Sequence, residues 1–392
     1  MKACDPHSLG GGGRLLVLAP TARATSETFV RANLKGLPFE MTAYFGDEFS
    51  ISAPTRFLYS CSVGCSKLLT RLHCLRLAGL PAALVAWGLI RRHRPDAVLV
   101  EFGFEAVRVM NACAWSGVPF VVHFRGSDAS AQVSLGLLKK RYRRLLKISA
   151  GVIVKSRPMA DTLLELGARS DCLLISPSGA NTTLFYGSSP EQSPPVLLAV
   201  GRFVAKKGPL HTIRAFSLLC RELSPETLAP ELWMVGDGPL LAAARSLVKE
   251  LGLNHSVRFL GVCSQTRVAE LMREVRLFVQ HSVVAPDGDS EGSPVAVMEA
   301  QLSGLPVIAT RHAGIPEVVV EEETGLLVDE GDERAMADAM ARLALDPCLA
   351  ARLGECGRRR VQKLFTIEHH LEQVTQLLRQ VVGNRRDLRC DA

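Results

Sequence analysis

The chain has 392 residues, 47% of them hydrophobic and 22% charged, with a formal net charge of +7. That length suits two α/β domains better than one, and the globular composition excludes a disordered or fibrous chain. The charge is split, with a balance of +11 over residues 1–190 and −4 over 191–392, so the front half is the part expected to meet something anionic.

The first residues, MKACDPHSLGGGGR, have no apolar core before their glycines and do not read as a signal peptide. The longest apolar run, 78–90, contains Gly and Pro and is too short to span a bilayer. Eleven cysteines are scattered without a C-x-x-C pair, and Cys61 with Cys65 has no matching second pair. Reduced thiols in a cytoplasmic chain are the expectation.

Residues 14–19 (RLLVLA) form an apolar run fit for a buried parallel strand, and a helix should open after Ser26 as its cap. The loop between them, 20–25, has no glycine. The G-x-G-x-x-G fingerprint of a nicotinamide site is therefore missing where it would be required. Residues 56–94 read as helices with one apolar and one basic face, and 96–101 and 119–124 as further buried strands. His123 begins HFRGSD at the carboxyl end of the latter, where open α/β sheets place ligands. A histidine there serves structure or chemistry, and the glycine turn and aspartate that follow keep both open.

Segment 137–147 interleaves apolar residues with six Lys/Arg. It is either a helix lying on an anionic membrane surface or an ordinary solvated basic face. Nucleic acid is disfavoured, since no helix-turn-helix, zinc or stacking signature accompanies the charge. Strands follow at 151–155 and near 175, with a helix over 161–167 between them. The Ser/Pro-rich stretch 186–195 is the best linker, and a second α/β domain begins at Val196.

Strand 196–200 leads into GRFVAKKGP, where Arg202 and Lys207 suit a diphosphate, the one as a fork and the other as a point charge. Simple solvation of three loop cations is the alternative. Strand 232–235 leads into VGDGP, and 257–260 and 277–280 are short strands. Asp287-Gly288-Asp289 resembles a D-x-D metal site but stands in a flexible turn, so no metal is expected.

Residues 291–304, EGSPVAVMEAQLSG, carry the densest signal. Ser293 should cap a helix whose first residue is Pro294, leaving the amides of Val295, Ala296 and Val297 open to a phosphate. Glu291 stands before that mouth and Glu299 inside the helix. A carboxylate on each side of a bound phosphate suits a nucleotide sugar; a capped surface helix is the plain alternative. The buried-strand pattern 305–310 that follows favours the ligand reading. RHAGIPE then enters another helix, 324–328 is a last strand, and 335–345 and 367–382 are amphipathic helices.

Taken together, GRFVAKKG, VGDGP, EGSPVAVMEA, TRHAGIPEVV and TGLLV, preceded by SETFV, HFRGSD and SPSGANTTLF, resemble the retaining family 4 glycosyltransferases. SETF with GDSEGSPVAVMEA is similar to bacterial exopolysaccharide transferases of the colanic-acid type. The resemblance implies the α/β GT-B architecture of two Rossmann-like domains facing across a cleft. These would be an acceptor-side domain over 1–188, a nucleotide-sugar domain over 189–366, and a helix from 367 returning to the first. It also implies the roles. Arg202 and Lys207 would hold the diphosphate of a UDP- or GDP-sugar. Glu291 would bind the sugar hydroxyls, with Gly236 and the backbone of Gly292, Ser293, Pro294 and Val295 nearby. Glu299 would take the ribose, and His123 would approach the transferred sugar. No cofactor is implied, and the acceptor would be a glycan or lipid-linked glycan, with the basic segment placing the chain peripherally at the inner membrane face.

Some positions depart from the family pattern. Ser26 and Glu27 stand where relatives have diphosphate-contacting glycines, Asn181 where Asp is common, and His281 where Pro is common. The rivals are a phosphorylase or epimerase of the same fold, an oxidoreductase, and a non-catalytic membrane assembly partner.

Overall fold

The computed structural model describes residues 13–21, 28–50, 52–74, 77–223 and 229–390. The expected Ser26 cap, Glu27 and the glycines at 10–12 lie outside them. Two compact units are present. One contains Met1–Ala129, Val133–Ser176 and Leu371–Ala392, and the other Ser130–Gln132 with Pro177–His370.

The first unit is built on six parallel strands: β1 Arg14–Ala19, β2 Glu40–Phe45, β3 Ala97–Glu101, β4 Phe120–His123, β5 Gly151–Val154 and β6 Leu173–Ile175, in the order β2-β1-β3-β4-β5-β6. Strand periodicity divides its core between two faces. Leu16, Leu18, Val98 and Val100 pack with the helices Pro54–Arg71, Leu80–His93, Gly103–Ser116 and Gln132–Ile148. Leu15, Val17, Leu99 and Ile153 pack with Val374 and Leu378 of the Ile367–Cys390 helix. The basic segment folds as the second half of Gln132–Ile148. Its Leu138, Tyr142, Leu145 and Leu146 turn into the core, so its apolar side is used internally and Lys139, Lys140, Arg143, Arg144 and Lys147 face outward.

The second unit repeats the plan with β7 Val196–Val200, β8 Glu231–Val235, β9 Val257–Gly261, β10 Leu277–Gln280, β11 Val307–Thr310 and β12 Gly325–Val328, all parallel, in the order β12-β11-β10-β7-β8-β9. Alternate residues again serve opposite faces. Leu198, Phe278 and Val307 meet the helices Gln265–Glu274 and Val295–Ser303, while Leu197, Val279 and Ile308 meet Pro209–Glu222 and Glu333–Leu345. Among the described residues no helix is long and apolar enough to cross a membrane.

Candidate functional site

In the second unit the loops leaving β7, β8 and β10 are locked together by backbone contacts that only glycine permits. Gly208 has φ +51°, and a Cβ there would lie 1.9 Å from the His281 carbonyl oxygen. Gly236, at φ +134°, has its Cβ direction filled by the Gly201 carbonyl oxygen at 2.0 Å. Left-handed φ and backbone closeness together exclude a side chain at either position. Two bonds tie the β7 loop to the β8 loop: the Gly201 amide donates to the Val235 carbonyl at 3.0 Å and the Phe203 amide to that of Asp237 at 2.9 Å. The recess at these strand ends is lined by Gly201, Arg202, Lys207, Thr212 and Gln280, the carboxyl-end position where open parallel sheets hold ligands.

Three cations leave the first loop in different directions. Arg202 is exposed and has no ion-pair partner among the described residues. Lys206 is buried against Asp289, 2.9 Å away, and also donates to the Ser290 carbonyl. Lys207 meets Glu291, Nζ to Oε2 2.6 Å. Asp289 of the D-x-D sequence is thus taken up by a lysine, and its Oδ1 accepts from Ser130.

Glu291 is buried beside Lys207. Burial pushes its carboxyl up, but the Lys207 and Lys206 ammoniums more than offset this and hold it below the ordinary glutamate value. Its amide donates to Nε2 of His312 at 3.0 Å, so the His312 proton sits on Nδ1 and is given to Glu330 Oε1 at 2.5 Å. Glu330 in turn accepts from the Val284 amide. Glu330 and His312 therefore fix both ends of the loop that presents Glu291. The RHAGIPE motif stands out in the sequence without giving His312 this part; its place directly after a buried strand was the available signal.

The helix mouth differs from expectation. Ser293 is not the cap. The helix runs Val295–Ser303 with Pro294 as N-cap, and the Ser293 hydroxyl accepts instead from the Ser178 amide. Pro294 has φ −80° and ψ 73°, and the Val295 amide donates back to the Ser293 carbonyl at 2.9 Å. These are the marks of an inverse γ-turn, a turn that proline's fixed φ favours. Val295 is thereby occupied, and the open first-turn amides among the described residues are those of Ala296 and Val297. Gly304 ends the helix as anticipated, at φ +99°.

Glu299 lies within that helix, 7% exposed, with Gln265 Nε2 at 3.4 Å. Burial pushes its carboxyl up to about 8, against the smaller opposing effects of Gln265 and Lys207. Lys207, which lines the recess together with Arg202, thus acts on both carboxylates. His281, unusual at its position, is buried and stacked on His211 with ring centroids 5.0 Å apart. Its Nε2 accepts from the Gly331 amide, and burial lowers it to about 4, so it is neutral.

His123 belongs to the first unit. It is fully buried at the end of β4, its Nδ1 3.5 Å from Glu101 Oε2. Glu101 also receives Arg125, Nη2 to Oε2 2.6 Å, and Asn33 at 3.0 Å. Asp128 closes the HFRGSD turn by accepting from the amides of Gly103, Arg125 and Gly126.

Comparison with known proteins agrees with this arrangement. The family model described as Glycosyltransferase Family 4 matches residues 55–184, and that described as Glycosyl transferases group 1 matches residues 183–360. The chain is 30% identical over 259 residues to a putative colanic acid biosynthesis glycosyltransferase of Escherichia coli, covering 65% of this chain and 63% of that protein, so the match spans less than two thirds of that relative. It is 29% identical over 288 residues to an amylovoran biosynthesis glycosyltransferase of Erwinia amylovora, covering 72% and 70%. The fold is shared with a sucrose-phosphate synthase of Thermosynechococcus elongatus, at TM-score 0.72 and 20% identity over 95% of this chain and 100% of that one. It is equally shared with the Anabaena protein HepE in complex with UDP, at TM-score 0.72 and 18% identity over 94% and 100%. With the two family segments in tandem over residues 55–360 and both parallel sheets of the GT-B fold in place, the chain belongs to the family 4, group 1 glycosyltransferases.

Proposed function

We propose that the protein transfers a hexose-type sugar, with retention at the anomeric carbon, from a UDP- or GDP-sugar to a hydroxyl of a glycan or lipid-linked glycan, in exopolysaccharide or other cell-surface glycan assembly. The observation that carries the reading is the pair of half-buried Lys207 and buried Glu291 beside the mouth of the Val295–Ser303 helix, with Glu299 inside it. The names of the relatives, which act in colanic acid and amylovoran biosynthesis, support the glycan class. The Anabaena protein's complex with UDP-glucose supports a nucleotide-sugar donor.

In this reading Arg202, Lys207 and the open amides of Ala296 and Val297 hold the diphosphate and stabilise its charge as it departs. Glu291 accepts from the sugar hydroxyls and Glu299 from the ribose. Gly236 and the Gly292–Val295 backbone complete the donor site, and His123 contacts the transferred sugar. The acceptor oxygen bonds to the anomeric carbon on the face from which the phosphate oxygen leaves, and that oxygen takes the acceptor's proton. The protein's cations supply the positive potential, so no metal is required, and Asp289 is already paired with Lys206. The outward cations of the Gln132–Ile148 helix support a peripheral place at the inner membrane face.

The test is transfer from a panel of nucleotide sugars, chosen by the thermal stabilisation a bound donor confers, with and without EDTA. Glu291→Ala should lower turnover by about 100-fold or more while nucleoside diphosphate affinity stays within a few-fold. Loss of nucleotide affinity instead would move Glu291 out of the sugar site, and strict divalent-metal dependence would restore Asp287 and Asp289 as ligands.

A further inference from the structure

We propose that Phe102 recognises the acceptor: its ring, held at a strained backbone position at the carboxyl end of β3, stacks on the apolar C–H face of a pyranose in the acceptor glycan. The reaction in which it serves rests on the transferase reading; the binding of a sugar ring by this side chain does not.

The backbone is the first observation. Phe102 has φ +73° and ψ 133°. Arg94, which ends the Leu80–His93 helix at φ 46° and ψ 52°, lies in the small left-handed region that side chains can enter. Phe102, with its extended ψ, lies beyond that region, close to conformations that belong to glycine. Bonds on both sides hold it there. Its amide donates to the His123 carbonyl at 2.9 Å, and its carbonyl accepts from the Glu105 and Ala106 amides at 3.1 and 3.0 Å. The next amide, that of Gly103, donates to Asp128 Oδ2 at 2.7 Å. Turn geometry alone therefore calls for glycine at 102, and a bulky apolar residue there is an outlier of the kind that gathers at ligand sites.

The ring is the second. Phe102 is half-buried and stacked on Phe104, with centroids 5.1 Å apart and planes 25° from parallel. Phe104 is braced in turn: it packs against the core, and Arg108 Cζ lies 5.5 Å from its ring centroid. The strained turn thus presents a supported aromatic platform. Its place is the third observation. Glu101 pairs in register with His123, so Phe102 stands one residue beyond the strand partner of the histidine proposed to contact the transferred sugar. The carboxyl ends of parallel strands are where open α/β sheets hold ligands. The groups proposed to grip the nucleotide all belong to the second unit, which leaves the first unit's platform to the acceptor. A pyranose fits it, because polarised C–H bonds on one face of the sugar meet the negative π face of the ring.

Saturation-transfer NMR on the full chain, with the methyl glycosides of glucose, galactose and mannose as probes and no donor present, tests the binding. Irradiating the aromatic protons should mark the C–H protons of at least one glycoside, and Phe102→Ala should remove the signal while Phe102→Trp keeps it. With a turned-over donor, Phe102→Ala should raise the acceptor KM about five- to tenfold and move the donor KM by less than about twofold. Phe102→Gly should melt about 2 °C or more above Phe102→Ala, since glycine accepts that φ without strain. A chain that turns over no donor yet shows the glycoside signal would end the transferase reading and leave the platform standing. No signal from any glycoside, a signal that survives in Phe102→Ala, equal rises in both KM values, or a Phe102→Ala chain that melts as high as Phe102→Gly would each overturn the platform. Saturation passing instead to the base of UDP, and lost in Phe102→Ala, would overturn it as an acceptor site.

Discussion

The glycines in the second unit's loops and those on the first unit's outward helices are the same residue used for opposite reasons. Gly208 and Gly236 sit at positive φ with a carbonyl oxygen where a Cβ would go. Gly64 and Gly88, within Pro54–Arg71 and Leu80–His93, are exposed, and a Cβ on either would meet nothing within 4 Å. The first pair lets three strand-to-helix loops close on each other and so aims Arg202 and Lys207 at one recess. The second pair keeps a helical surface flat and unencumbered. Where the chain closes these loops on each other neither glycine leaves room for a side chain, and where it builds an exposed helical face both do.

The largest effect that would break this contrast is at Gly236. Gly236→Ala should destabilise the second unit by more than about 3 kcal/mol, since it combines a disfavoured φ with a backbone overlap that neither loop can relieve without moving the other. Urea unfolding followed by tryptophan fluorescence reads it. A loss below about 1 kcal/mol would mean that the β7 and β8 loops are not held against each other.

A smaller effect lies at Glu299, whose carboxyl burial raises to about 8 from an ordinary 4.5. Because the folded value is raised, the folded chain keeps a proton that the unfolded chain has lost. Glu299 therefore costs nothing below about pH 4.5, and its cost to stability grows as pH rises toward 8. If Glu299 takes the ribose as proposed, its hydroxyls donate to the ionised carboxylate, and nucleotide binding should release a proton at neutral pH. Affinity should then strengthen with pH by up to about tenfold per unit until pH 8 is approached. Titration calorimetry in buffers of different ionisation enthalpy counts the proton, and Glu299→Gln should abolish its release. Proton release that persists in that variant would assign the linkage to another group.

How much of this was legible in the sequence depends on how local each cause is. Buried parallel strands are continuous apolar runs, so β1, β3, β4, β7 and β10 could be read directly. β2, EMTAYF, pairs only with β1 at the sheet's edge and is mostly half-exposed; its mixed pattern gave no comparable signal. The Pro347–Leu364 helix also went unread. It contains Gly354 and Gly357, which lower helix propensity, yet Gly354 is needed there because its Cβ direction is filled by the Gly304 carbonyl oxygen at 2.0 Å. At the site, residue types and spacing singled out Arg202, Lys207, Glu291 and Glu299. The partners His312, Glu330 and Gln265 reach them across long stretches of chain that no spacing encodes. The misread Ser293 cap failed for a local reason, the γ-turn at Pro294.

The smallest expected effect sharpens the contrast from the other side. Gly88→Ala, at an exposed position inside the Leu80–His93 helix, should stabilise the first unit by about 0.5–1 kcal/mol, because alanine restricts the unfolded chain and meets nothing in the folded one. Thermal unfolding resolves a change of that size. Destabilisation instead would mean that some part of the free chain already packs on this face.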